Sequence, residues 1–169
     1  MTETRPRGRP RGFDAEVALR HASDAFRDGG FSSTSLDDIV RATGLNRPSL
    51  YAAFGDKKAL YLAALETLWA DIDLEFQKLI ARDLPLGESL KLMLNRSVSV
   101  YLSGPSGPRG CLAVCTASAE AVSDADIRAA LRKVLALMDE RIAVLFAKAG
   151  DNDPAGKARL VSGVLHSMS

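Results

Sequence analysis

The chain is poor in the residues that most chemistry requires. Two cysteines and two histidines stand among 169 residues, too few for a disulfide framework or a dense metal cluster. Aromatic residues make up 6%, with a single Trp. No uncharged apolar run approaches the roughly 18 residues that cross a bilayer, and the N-terminus lacks the apolar stretch of a signal peptide. A cytoplasmic location is the expectation, with no membrane partner. Net charge is nearly absent too, at +1, so a charged partner must be met by a local patch. No G-x-S-x-G, H-E-x-x-H or phosphate-binding glycine loop is present, which argues against an enzyme, including one using Cys111 or Cys115 as a nucleophile. No cofactor is implied.

What charge there is lies unevenly. Residues 1 to 12 hold four of the 22 basic residues against one of the 21 acidic ones, so the first dozen carry +3 and the rest −2. Within them Arg7, Gly8, Arg9 and Pro10 spell the R-G-R-P core of an AT-hook, whose arginines enter the narrow minor groove of A·T-rich DNA. A basic, Pro- and Gly-rich end is also the composition of a solvated tail.

Beyond this arm the apolar residues keep helical spacing. Ala15, Ala18, Leu19, Ala22 and Phe26 form one stripe that Gly29 and Gly30 terminate. Leu36, Ile39 and Val40 form a second, capped from the Ser32 to Ser35 cluster and stopped at Gly44. Asn46 caps a third short helix with Leu50 and Phe54 inward, and Asp56 caps a long fourth that runs toward Pro85. Stripes over residues 86–101 and 127–146, a short small-residue helix from about 111 to 121, and a final helix opened by Asp153 and Pro154 bring the count to eight. Period-two alternation and internal repeats are lacking, so the fold class is all-α.

Two short helices around a tight turn at Gly44 suit a helix-turn-helix, whose second helix lies in the major groove. Its outward first turn would be Arg47, Pro48 and Ser49, followed by Tyr51. Arg can bond guanine bidentately, and a Pro ring can pack on a thymine methyl. The stretch "TSLDDIVRATGLNRPSLYAAFGDKKALY" resembles the N-terminal domain of the tetracycline-repressor-like (TetR) family of bacterial transcriptional regulators. Thr34, Ile39, Ala42, Gly44, Leu50, Tyr51, Phe54, Asp56 and Lys57 carry the resemblance over about residues 13 to 65. Thr43, Asn46 and Ala53 depart from the commoner family residues.

The resemblance implies a homodimer that represses transcription from a palindromic operator and is released by a small-molecule effector. It assigns phosphate contacts to Thr34, Tyr51 and Lys57, and base reading to Arg47, Pro48 and Ser49. The expected organisation is a flexible arm over 1–11, a helix-turn-helix domain over 12–65 and a helical regulatory and dimerisation domain over 66–169. The resemblance implies about nine or more helices against the eight legible here, so either a chain truncated at its C-terminus or an abbreviated dimer interface is expected.

In the second half Trp69, Phe76, Met93, Tyr101 and Met138, together with Cys111 and Cys115, are the candidate ligand-binding residues and would suit a hydrophobic or aromatic effector; core filling is the competing explanation. Cys111 and Cys115, four apart, would share one helix face as a thiol sensor or, with His166 or His21, as metal ligands; ordinary packing is again the alternative. Two further readings remain: an architectural A·T-binding protein without an effector, and a redox-sensing regulator acting through the two thiols.

Overall fold

In a computed structural model, the structure describes residues 13–104 and 107–169, and every regular element among them is helical. The AT-hook-like arm, with Arg7 and Arg9, lies outside the described residues. Helix α1 (Ala15–Ser33) starts on Asp14, whose carboxylate accepts from the amides of Glu16 and Val17. It kinks at Gly30, where the backbone leaves helical geometry. Helix α2 (Leu36–Thr43) opens with a reciprocal capping box between Ser35 and Asp38 and closes on Gly44. Gly44 sits at φ 69°, a left-handed conformation that costs a residue with a Cβ far more than glycine.

Asn46 caps α3 (Arg47–Phe54) through the amide of Ser49, and Asp56 caps the 25-residue α4 (Lys57–Ala81) through that of Ala59. Helix α5 (Leu86–Leu102) follows the turn at Pro85 and doubles back along α4. The short helix expected after the glycine-rich loop is wound differently. Leu112–Ala117 form a π-helical segment that runs on into the single turn of α6 (Ser118–Glu120). Helices α7 (Ala125–Lys148) and α8 (Pro154–Ser167), capped by Asp124 and Asp153, complete the bundle.

One hydrophobic core joins the first helices to the later ones. Phe26 of α1, Ile39 of α2, Leu50 of α3 and Tyr61 of α4 belong to the same buried cluster as Leu112, Ala113, Ile127 and Val134. At its centre Tyr61 lies edge-on to Phe26, with ring centroids 4.9 Å apart, and 5.0 Å from Phe31. Its hydroxyl meets Thr116 Oγ1 at 2.5 Å. The Thr116 hydroxyl donates to the Leu112 carbonyl, which leaves Tyr61 as the donor. A second cluster, built on Phe76, Met93, Met138, Ile142, Phe146 and Leu165, holds the far end.

Ion pairs tie α7 along α4. Lys58 lies 2.7 Å from both Asp124 and Asp126, Lys133 meets Glu66 at 2.7 Å, and Arg141 meets Asp73 at 2.5 Å. All of these groups except Asp73 are at least a quarter exposed, so solvent screening keeps the pairs weak and they set register more than stability. The burial of Phe26 is complete. Phe26→Ala is therefore expected to cost about 3–5 kcal/mol, read as a lower denaturant midpoint with an unchanged m-value.

Candidate nucleic-acid interface and chamber

The turn between α2 and α3 is fixed by a short chain of hydrogen bonds. Gly44 donates its amide to the Val40 carbonyl at 2.9 Å, the Thr43 hydroxyl donates to Ile39 at 2.7 Å, and the Leu45 amide donates to the Thr43 hydroxyl at 3.2 Å. With Ile39 and Leu50 buried beneath it, α3 can present only one face outward. That face carries Arg47 and Pro48, both exposed, with Ser49 half-buried and Tyr51 47% exposed. The four residues expected to read bases and hold phosphate are thus brought together.

Arg47 is not idle in this state. Its Nη2 donates to Asp37 Oδ1 at 2.8 Å, and this hydrogen bond raises the guanidinium pKa above its ordinary value. Both side chains are more than half exposed, so the pair is weak and exchangeable for another acceptor.

Two expected phosphate contacts are placed elsewhere. Thr34 is 3% exposed, and its hydroxyl donates to the Gly30 carbonyl at 2.5 Å, with the Ala25 carbonyl also within 3.3 Å. Its side chain closes the end of α1 instead of facing outward. Lys57 bends inward: Nζ donates to the carbonyls of Phe31 and Thr34 at 2.8 and 3.0 Å and stands 4.4 Å from the Phe31 ring centroid. Carbonyls orphaned at the kinked end of α1 need donors. The Lys57 ammonium supplies them, so it acts here as a strut between α1 and α4.

The second site is a cleft of about 800 Å³ between α4 and α5. Phe76, Met93, Tyr101, Cys111 and Met138, all expected there, line it. Trp69 does not. Its ring faces α7, with Lys133 Nζ 4.4 Å from the centroid, because α4 turns Leu68 and Ile72 to the cleft instead. Burial pushes the Tyr101 hydroxyl up to about 12, so the chamber meets a ligand with a neutral phenol.

The two cysteines also separate. Cys111 is extended and precedes the π-helical segment, buried in the cleft wall, whereas Cys115 lies within that segment and is exposed. The same-face expectation assumed α-helical winding from Cys111 onward, which this segment does not have. Gly110, at φ 65°, permits the approach of Cys115, whose Sγ would lie 2.3 Å from a Cβ at that position.

Sequence reasoning missed the wall contributed by α1. Arg20, Ser23, Asp24 and Arg27 line the chamber from the same helix that anchors the helix-turn-helix. Their near i, i+4, i+7 spacing was a legible polar stripe. Arg27 Nη2 donates to the carbonyls of Val100 and Gly110 at 3.1 and 2.8 Å. Arg109, on the loop after α5, lies 3.1 Å from Asp24 and 3.3 Å from Asp28. Helix α1 is thereby gripped at both ends of that loop.

Residues 18–64 match the family model described as "Bacterial regulatory proteins, tetR family". The transcriptional regulator AcuR of Cereibacter sphaeroides is 30% identical over 177 residues, covering 91% of this chain and 79% of AcuR. The chain belongs to the TetR family. The HTH-type transcriptional repressor BdcR of Escherichia coli is 34% identical over 110 residues, 65% of this chain but only 55% of BdcR. Two other helix-turn-helix regulators match over less than a third of their length. Among solved structures, the TetR family transcriptional regulator CifR, a cysteine mutant complexed with a 26 bp double-strand operator DNA, superposes with a TM-score of 0.74. It is 31% identical, covering 95% of this chain and 87% of that one.

Burial raises the Cys111 pKa, which reduces its thiolate fraction and slows alkylation. Iodoacetamide at pH 7.5 is therefore expected to label one thiol per folded chain rapidly. C115S should abolish that fast phase, whereas C111S should leave it in place.

Proposed function

We propose that this TetR-family chain is a ligand-responsive transcriptional repressor that binds a palindromic operator as a homodimer and leaves it when a small molecule fills the cleft. One observation carries the reading: helix α1 is at once the anchor of the helix-turn-helix and a wall of the chamber. Phe26 packs toward α4 in the core, while Arg20 and Arg27 of the same helix line the cleft. A ligand that favours a different spacing of α1 from α5 thus acts on the orientation of α3.

The operator face is Arg47, Pro48, Ser49 and Tyr51, with Arg7 and Arg9 as a minor-groove clamp. Lys57 contributes by holding α1 to α4 and Thr34 by closing the end of α1, rather than by side-chain contacts to phosphate; the free amides at the start of α4 remain available to phosphate. Pairing of two chains is supported by α8, where Leu160, Val164 and, at the cap, Met168 form an exposed apolar ridge at i, i+4 and i+8. Two recognition helices would then meet successive major grooves about 34 Å apart.

The thiol-sensing alternative is less favoured. Cys111 is buried with a raised pKa, and the exposed Cys115 lies outside the chamber lining.

Fluorescence anisotropy on a labelled operator, found by footprinting upstream of the chain's own gene, tests the reading. Arg47→Ala is expected to weaken operator binding by about tenfold or more, with a smaller change on non-operator DNA. A cleft ligand should weaken wild-type binding roughly 5- to 150-fold. Equal affinity for operator and random DNA would instead support the architectural alternative.

A further inference from the structure

We propose that the ligand of the cleft is an anionic amphiphile, an organic acid with an apolar or aromatic body, whose acid group is held by Arg27. This rests on the reading of the cleft as the effector chamber and goes beyond it by naming the chemical class.

The cleft has an apolar floor and a cationic edge. Ile72, Phe76, Leu79, Met93, Leu112 and Met138 supply the floor, and five cations border it: Arg20, Arg27, Lys78, Arg82 and Arg96. Three carboxylates also line it, Asp24, Asp71 and Glu75. Two of these are already engaged. Asp24 lies 3.1 Å from Arg109, and Glu75 lies 2.8 Å from Lys78. Among the described residues, no ion pair within 4.0 Å engages Arg20, Arg27, Arg82, Arg96 or Asp71. Four guanidinium groups and one carboxylate of the lining are thus without an ion pair, while Asp24 shares Arg109 with Asp28.

Arg27 stands apart from the other three. Its Nη2 is fixed by the Val100 and Gly110 carbonyls, yet its Nε is buried without a hydrogen-bond partner. An orphaned donor on an ionised group is costly, and a carboxylate is the acceptor that satisfies it most strongly. Tyr101 and Cys111 share that wall and offer neutral groups, and Asp24, three residues before Arg27 on α1, is held by Arg109. A cationic ligand would meet the reverse: unpaired guanidinium groups on the edge and a single free carboxylate, Asp71, on the exposed side of α4.

Isothermal titration of the full 169-residue chain with three matched probes tests this without DNA: 8-phenyloctanoate, 8-phenyloctanamide and 8-phenyloctylamine. The acid is expected to bind about tenfold or more tighter than the amide, and the amine most weakly. Raising the salt should weaken the acid alone. R27M should bring the acid to the level of the amide while leaving the amide unchanged. Because Arg27 also braces two carbonyls, R82Q/R96Q on the exposed edge is the second variant, with a several-fold loss for the acid only. Equal binding of acid and amide to the wild-type chain, a preference for the amine, or binding of none of the three overturns the proposal. A preference for the amide or amine would still leave the effector-released repressor standing, since that reading falls only in the operator experiment.

Discussion

The structure depends on the burial of Tyr61 where α1, α4 and the π-helical segment converge. Its ring fills the space between Phe26 and Phe31, and its hydroxyl ends on Thr116. An aromatic ring at such a point supplies area burial and preferred geometry together, but the phenol must find a partner in an apolar surround. Thr116 accepts the phenol proton while its own proton is donated to the Leu112 carbonyl. The π winding there and the packing of the helix-turn-helix against α4 are thus parts of one arrangement. Burial pushes the Tyr61 hydroxyl up to about 12, with the Thr116 hydrogen bond opposing the shift, so this link stays neutral across physiological pH.

From this point two lines of contact reach the ends of the molecule. One passes through Phe31 to Lys57 and the carbonyls that terminate α1, fixing where α2 begins. The other passes along the π-helical segment to Leu112 and Cys111, which are chamber wall. π-helical turns are rare and frequent at functional sites. Here the expanded turn packs against α1 and leads directly from the cleft wall at Cys111 and Leu112 to the Tyr61–Thr116 contact.

Much of this was legible in the sequence, and the reasons are local. The caps on Asn46, Asp56 and Asp153, and one within the Ser32 to Ser35 cluster, were readable because capping chemistry is a short-range matter of one side chain and the next three amides. The all-α class and the outward face of α3 followed from apolar spacing. What was not legible depended on partners distant in sequence. Thr34 and Lys57 resembled surface polar residues until the kink at Gly30 created carbonyls for them to satisfy. Trp69 resembled a chamber residue until Lys133, 64 positions away, set which face of α4 met α7. The cysteines looked paired because a spacing of four implies α-helical winding, and no local signal announces a π turn.

The polar stripe of α1 extends the same point to specificity. Read as sequence, Arg20, Asp24 and Arg27 are the solvent side of an amphipathic helix. Folded, α5 and its loop come over that side, and each charge acquires a different fate. Asp24 shares Arg109 with Asp28, Arg20 remains at the edge, and Arg27 is drawn in with one donor left over. The face of α1 that packs into the helix-turn-helix core and the face that borders the cleft thus belong to the same 19 residues.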